Sequence, residues 1–316
     1  MIRFEHRPVM VDEVVALLRP VPPGIVVDAT VGGGGHAAAV LDGVPQVTLL
    51  GLDRDDDALA AAAANLARFG NRVTLRAVRF DALATTMEEL DVDRIAGALF
   101  DLGVSSPQFD RPERGFSYRF EGPLDMRMDR TQARTAADIV NEEDERELAR
   151  ILRTYGDERY AARIARGIVA ARPITTTTRL ADVVRDAIPA PARRRGGHPA
   201  KRAFQALRIA VNDELDALPA ALDQVIDRLA PGGRCVVISY HSGEDRIVNE
   251  TFRTASTGGC TCPPGLPCTC GAVAVVRELR PRKRRPSADE VARNPRAASA
   301  VLRAIEKLDS ADGAAA

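Results

Sequence analysis

The stretch that decides the fold runs Ile25-Val-Val-Asp28, then Gly32-Gly-Gly-Gly35, then Val47-Thr-Leu-Leu-Gly-Leu-Asp53. It reads as a strand, a glycine turn and a second strand ending in an acid. Glycines lack Cβ, so the backbone can turn sharply and approach a ligand closely, while an acid at the next strand tip can accept both hydroxyls of a ribose. This order describes a site for a nucleotide-shaped cofactor. NAD, FAD and S-adenosylmethionine all use it, and a plain tight turn shares its glycines. No Lys-Ser or Lys-Thr follows the glycines, which argues against a P-loop.

Working outward, short apolar runs alternate with Ala-rich helical stretches through the first hundred residues. Strands are expected at 24–28, 47–53, 72–77 and 95–101, with a crossover helix over 55–69. Ligands on parallel sheets sit beyond the carboxyl ends of the strands, so Asp28, Asp53 and Asp101 should meet at one crevice. After Asp101 the rhythm stops. A Gly/Pro/Arg-rich loop to Asp129 gives way to helical segments near 143–155, 160–171, 178–188 and 200–217. The α/β pattern returns with a helix over 219–229, the turn Pro231-Gly-Gly233 and a strand over 234–239. The expected organisation is a discontinuous α/β domain, 1–106 and 212–316, carrying an inserted helical domain, 107–211. A cysteine loop, a basic tail and a frayed Ala-Gly end follow.

Composition sets the outer limits. The 316 residues are 45% hydrophobic, enough to fill a core, so disorder is not expected. Forty-four basic and 44 acidic residues cancel, so a nucleic-acid partner must be sought in local clusters. Two exist, Arg193 to Arg195 with Lys201 and Arg202, and Arg282-Lys-Arg-Arg285; solvated surface charge is the plain alternative for each. No apolar run approaches the roughly 20 residues of a membrane span, and the first residues lack a signal-peptide core. A cytoplasmic protein without a membrane partner is expected. Oligomeric state is not legible, and a homo-oligomer stays open.

Asp101-Leu-Gly-Val-Ser-Ser-Pro-Gln108 follows the fourth strand, where one group can meet cofactor and substrate. Its core, Ser106-Pro-Gln-Phe109, is one residue from the Ser-Pro-Pro-aromatic motif of enzymes that methylate exocyclic amines. Such an amine is a poor nucleophile because its lone pair is delocalised into the ring. A Ser106 hydroxyl and the following carbonyl would bind its hydrogens and polarise the nitrogen, and Phe109 would stack on a flipped base. The plain alternative is a Ser/Pro turn with Phe109 in the core. His241, just past the last strand, either touches substrate or hydrogen-bonds its own loop, and Glu244 and Asp245 cap the next helix. Cys260-Thr-Cys262 and Cys268-Thr-Cys270 are enough thiols for tetrahedral zinc, but one-residue spacing is unusual for zinc loops. A reduced surface loop with no metal is the expectation. Cys235 reads as packing.

With these residues in hand, the chain resembles along nearly its whole length the bacterial ribosomal RNA small subunit methyltransferase H family, also called MraW. The resemblance rests on His6-Arg-Pro-Val-Met10, Asp28 to His36, Asp101 to Gln108, Arg114-Gly-Phe-Ser117, Pro123 to Asp129, Tyr155-Gly-Asp-Glu158, His198 to Leu215, the His241 segment and Asn294-Pro-Arg296. It implies a class I, Rossmann-like methyltransferase domain. It also implies S-adenosylmethionine-dependent methylation of the N4 amine of one cytidine in the 16S rRNA decoding region, with the helical insert helping to recognise RNA. By motif position the cofactor contacts are Gly34, Gly35 and His36 at the turn, Asp53 at the ribose, Phe80 near the adenine, then Asp101 and Gln108. Gln108 thus moves from the substrate side to the cofactor side. Tyr240 and Gly243 stand where the family usually shows Phe and Leu. A non-catalytic rRNA-binding or assembly factor would keep the same pocket but should show a damaged crevice, and none of the three tip acids is missing. A dehydrogenase would need a hydride-accepting site, which the sequence does not offer.

Overall fold

A computed structural model of the chain describes residues 8–104, 106–193, 198–263 and 269–309, without the side chains of Ser106 and Pro107. The described residues form two compact units, Met1–Gly103 with Leu215–Ala316, and Val104–Glu214. Each internal bound falls three residues from the one expected.

The first unit is built on one sheet. Its strands are β1 (Gly24–Asp28), β2 (Val47–Asp53), β3 (Val73–Ala77), β4 (Ile95–Asp101), β5 (Leu229–Ser239), β6 (Val276–Glu278) and β7 (Val301–Lys307), in the order β3-β2-β1-β4-β5-β7-β6. The first five are parallel, and β7 runs antiparallel between β5 and β6. Parallel strands are covered on both faces, which is why they read as unbroken apolar runs. Successive residues divide between the faces. On β4, Ala98 and Phe100 join Val27, Leu50 and Val237 in one core, while Ala96 and Leu99 join Val26, Val236 and Leu302 in another. The strand order reverses between β1 and β4, the switch point beyond whose carboxyl ends open α/β sheets bind ligands.

Three expectations need correction here. No strand is expected past 239, yet β6 and β7 complete the sheet edge. Pro231-Gly-Gly233 is not a turn between elements. It is a bulge inside β5, where Leu229 faces Ile95 but Arg234 already faces Gly97, and Gly232 takes φ +73°. The break between the long helices falls at Asp213, which caps Lys201–Asn212 in the left-handed region, so Pro219 lies inside the helix Glu214–Arg228 instead of opening it.

The second unit is helical. Its helices Ala136–Glu142, Glu145–Gly156 and Thr177–Ala187 begin at Thr135, Asp144 and Thr176, whose side chains accept backbone N–H bonds from the first turn. Apolar positions three and four apart, such as Leu148, Ile151 and Leu152 or Ile164 and Ile168, build its core. Phe116, Leu124, Met126 and Met128 from the Gly/Pro/Arg stretch join that core. The stretch itself is held by buried polar groups. Asn212 accepts from Met128 N at 2.9 Å and donates to Met126 O at 2.7 Å, and Arg114 donates to Arg127 O and Met128 O at 3.0 and 3.1 Å.

Candidate cofactor site at the carboxyl edge of the sheet

The glycine turn closes on itself through Gly34 N donating to Val31 O at 2.8 Å. Gly34 caps the helix Gly35–Gly43 with φ 79°, a conformation that costs a side-chain-bearing residue energy. Gly35 is required for another reason: a Cβ there would lie 2.6 Å from Pro8 Cγ. Gly33 differs from both, for a Cβ built on it meets nothing within 4 Å. The turn therefore presents bare backbone to open space at Gly33, as a ligand cradle requires.

The strand tips are tied together by short polar links. Thr30 N donates to Asp28 Oδ1 at 3.2 Å, and the Thr30 hydroxyl accepts from Asp101 N at 2.7 Å. Asp53, at the end of β2, accepts from Gly32 N and Asp55 N, each at 2.9 Å, which fixes the carboxylate against the glycine turn. Burial outweighs these bonds and pushes its pKa up. On β4, Asp101 Oδ1 accepts the Tyr240 hydroxyl at 2.7 Å, and Asp101 Oδ2 lies 3.4 Å from His36 Nε2.

Two side chains here are buried without completed hydrogen bonding. Asp28 Oδ2 and both ring nitrogens of His36 have no hydrogen-bond partner among the described residues. The 3.4 Å approach of His36 to Asp101 is close enough for attraction but is not aligned as a hydrogen bond. Burial pushes the Asp28 carboxyl up to about 7, against the pull of His36 and the Thr30 amide. Burial alone would drive the His36 imidazole down, yet the Asp101 and Asp28 carboxylates outweigh it and hold it above its ordinary value. An orphaned buried polar atom costs roughly 1–3 kcal/mol, so three together mark a place where a ligand completes the bonding. A cofactor with an amino acid end and a ribose fits this donor and acceptor set.

Other site residues expected from the sequence divide. Phe80 opens a short 3₁₀ turn just past β3 and meets Phe100 edge-on at 5.9 Å, at the same sheet edge as Asp53. Gln108 is buried in the short helix Ser106–Asp110 of the helical unit, and the Ser106 side chain lies outside the described residues. Phe109 packs against the helical core, which favours the plain reading over base stacking. His241 caps the helix Ser242–Thr257, its Nδ1 accepting from Glu244 N at 3.4 Å; its Nε2 lies 3.0 Å from Glu244 Oε1 but, like the His36 nitrogens, completes no hydrogen bond among the described residues. Glu244 caps as expected, whereas Asp245 instead binds Arg303 at 2.7 Å and Lys283 at 3.2 Å. Of the basic clusters, Arg193 donates to Ile188 O and Asp186 O, and Arg194 and Arg195 lie outside the described residues. In the second, Arg282 faces Glu278 at 3.5 Å and Lys283 faces Asp245. Much of this charge is used within the fold. Sequence reasoning missed Thr30 and Tyr240 as members of the site, because each acts through a partner far away in the chain.

A model of the MraW methylase family matches residues 3–308. The chain belongs to the MraW methylase family. Similar curated proteins include three named ribosomal RNA small subunit methyltransferase H. The protein of Symbiobacterium thermophilum is 51% identical over 98% of this chain and 99% of its own length. That of Acidothermus cellulolyticus is 54% identical over 96% and 94%, and that of Thermobifida fusca 53% identical over 96% and 93%. The stretches that carried the sequence resemblance fall into two physical kinds: Asp28 to His36 and Asp101 lie at the strand-tip site, while Arg114, Met126 to Met128 and Asn212 lock the loop of the helical unit.

Proposed function

We propose that this chain is an S-adenosylmethionine-dependent methyltransferase that methylates the N4 amine of a cytidine in the decoding region of 16S rRNA, working in the cytoplasm. Full-length likeness to small-subunit rRNA methyltransferases supports the substrate class. The observation that carries the catalytic reading is the strand-tip site itself, with its three acids present and its buried polar atoms awaiting a ligand. No helix of the described residues is long and apolar enough to cross a membrane.

When bound, S-adenosylmethionine supplies a methyl carbon made electrophilic by its sulfonium. Asp53, already oriented by Gly32 N and Asp55 N, has lone pairs left to accept ribose hydroxyls. Gly33 leaves open space for the ligand against the backbone, Gly34 and Gly35 are assigned to the cofactor by motif position, and Phe80 flanks the adenine. Asp28, His36 and Asp101 form a charged pocket for the amino acid end, with Tyr240 holding Asp101 in place. Gln108 is assigned to the cofactor side. Ser106 and the carbonyl after it are assigned to the amine hydrogens, leaving the nitrogen lone pair free to attack; the proton then passes to water. The helical unit is assigned to RNA recognition.

The test is incubation of purified protein with labelled methyl donor and either stripped 16S rRNA or 30S subunits, followed by mapping of the modified nucleoside. Label in N4-methylcytidine at one decoding-region site supports the proposal. Binding of either RNA without transfer supports an assembly factor and rejects catalysis.

A further inference from the structure

The segment after the helix Ser242–Thr257 is closed at its base but has no core of its own. Val275 N donates to Ala255 O at 3.0 Å, and a Cβ on Gly258 would lie 2.4 Å from Val273 O, so outgoing and returning backbones touch. Between Gly258 and Val275 the described residues form no helix or strand, and none is buried. Val273 and Val275 are even exposed, at 53% and 40%. Hydrophobic burial therefore does not hold the described residues of this excursion together.

What gathers inside it is sulfur. The Sγ atoms of Cys260, Cys262 and Cys270 all lie within 4.8 Å of one another, and Cys270 Sγ is 3.6 Å from Cys260 Sγ. A disulfide needs sulfurs about 2.05 Å apart. Tetrahedral zinc with bonds of about 2.3 Å places its sulfurs about 3.8 Å apart. The observed gap matches shared metal ligation and not a bond. The backbone N–H groups of Thr269 and Cys270 also point at the Cys262 sulfur. The one-residue spacing that argued against metal in the sequence is no obstacle, since the fold brings Cys260 and Cys262 to one point with Cys270.

We infer that Cys260, Cys262 and Cys270 bind a zinc ion, which clasps the segment 258–275 in place of a hydrophobic core. The other cysteine of the loop, Cys268, lies outside the described residues, and the fourth donor is not assigned. The site is separate from the strand-tip acids and acts on folding, with metal uptake releasing thiol protons.

The test uses the full-length chain, purified under reducing conditions without chelator. Elemental analysis should find about one zinc per chain. After the metal is stripped, Co²⁺ alone should produce thiolate-to-cobalt charge-transfer absorption. The variants C260S, C262S and C270S should each retain at least about tenfold less zinc, and C235S, which alters a buried strand cysteine, should retain it. A zinc-free wild-type chain that gives no cobalt absorption overturns the inference. So does undiminished absorption in the triple serine variant, or a Cys260–Cys270 disulfide in chain kept reduced throughout. If the serine variants fail to fold, the zinc content and cobalt spectrum of the wild-type chain still decide the matter.

Discussion

Buried polar groups in the two units stand in opposite conditions. In the helical unit, Asn212 satisfies Met126 O, Met128 N and Arg208 O, and Arg114 satisfies two more carbonyls. At the strand tips of the sheet unit, Asp28 Oδ2 and both His36 nitrogens have no hydrogen-bond partner among the described residues. Both groups of residues belong to the stretches on which the sequence resemblance rests, so membership of a motif does not separate structural from functional roles. Completion of hydrogen bonding separates Asn212 and Arg114 from Asp28 and His36, but it is not a general rule: Asp53 accepts two backbone bonds, and His241 Nε2 and Arg284 Nη1 are also buried without a hydrogen-bond partner among the described residues. A satisfied buried network lowers the free energy of one fold, whereas an unsatisfied one raises it and persists where a ligand supplies the missing partners.

The comparison is broken most severely by pH. Folded Asp28 takes its proton at about 7, against 3.8 for a free carboxyl, so between those values the folded chain binds more protons than the unfolded one. Stability of the ligand-free chain must then fall as pH rises through that window, by on the order of 4 kcal/mol from Asp28 alone. Raised values at Asp53 and His36 act in the same direction. The lowered carboxyls Asp125 and Asp245 act oppositely, but only below about pH 4. Chemical denaturation at pH 5.5 and pH 8 should show about half of that loss, roughly 2 kcal/mol, and Asp28→Asn should flatten it. An equal slope in the variant would remove Asp28 as its source.

Asn212→Ala attacks the satisfied side. It strands the Met128 amide and two carbonyls in the interior, at about 3 kcal/mol, and should lower the midpoint of the helical unit in denaturant. A midpoint shift below about 0.5 kcal/mol would show that the network is dispensable. Asp53→Ala tests the ligand-facing side: removing a charge-assisted ribose contact should weaken S-adenosylhomocysteine binding by roughly 1.5–3 kcal/mol in calorimetry, and unchanged affinity would refute the assignment. Tyr240→Phe is the mildest change. Losing one 2.7 Å hydrogen bond to Asp101 should cost about 1 kcal/mol of cofactor affinity, with no effect expected if Asp101 lies outside the site.

The parallel half of the fold was legible because strands covered on both faces are continuous apolar runs and end in acids, as β1, β2 and β4 do. The antiparallel edge was not. In β7, Arg303 is buried by pairing with Asp245 and Glu306 pairs with Arg234, so charge masks a strand that the sheet covers. Pro231-Gly-Gly233 carries the same residues whether it makes a turn or a bulge, and only pairing with β4 distinguishes the two. In the site, Asp28, Asp53 and Asp101 could be found from strand ends. The Tyr240 hydroxyl on Asp101 spans 139 residues and leaves no local signal. Nor does any sequence pattern report that His36 lacks partners, because absence of a bond is a property of the packed structure.

A crystal structure of the full chain with S-adenosylhomocysteine tests the central claim most directly. Ligand polar atoms should lie within hydrogen-bond distance of Asp28 Oδ2 and of a His36 ring nitrogen, with the ribose on Asp53. A ligand seated elsewhere, with Asp28 and His36 still unpartnered, would contradict it.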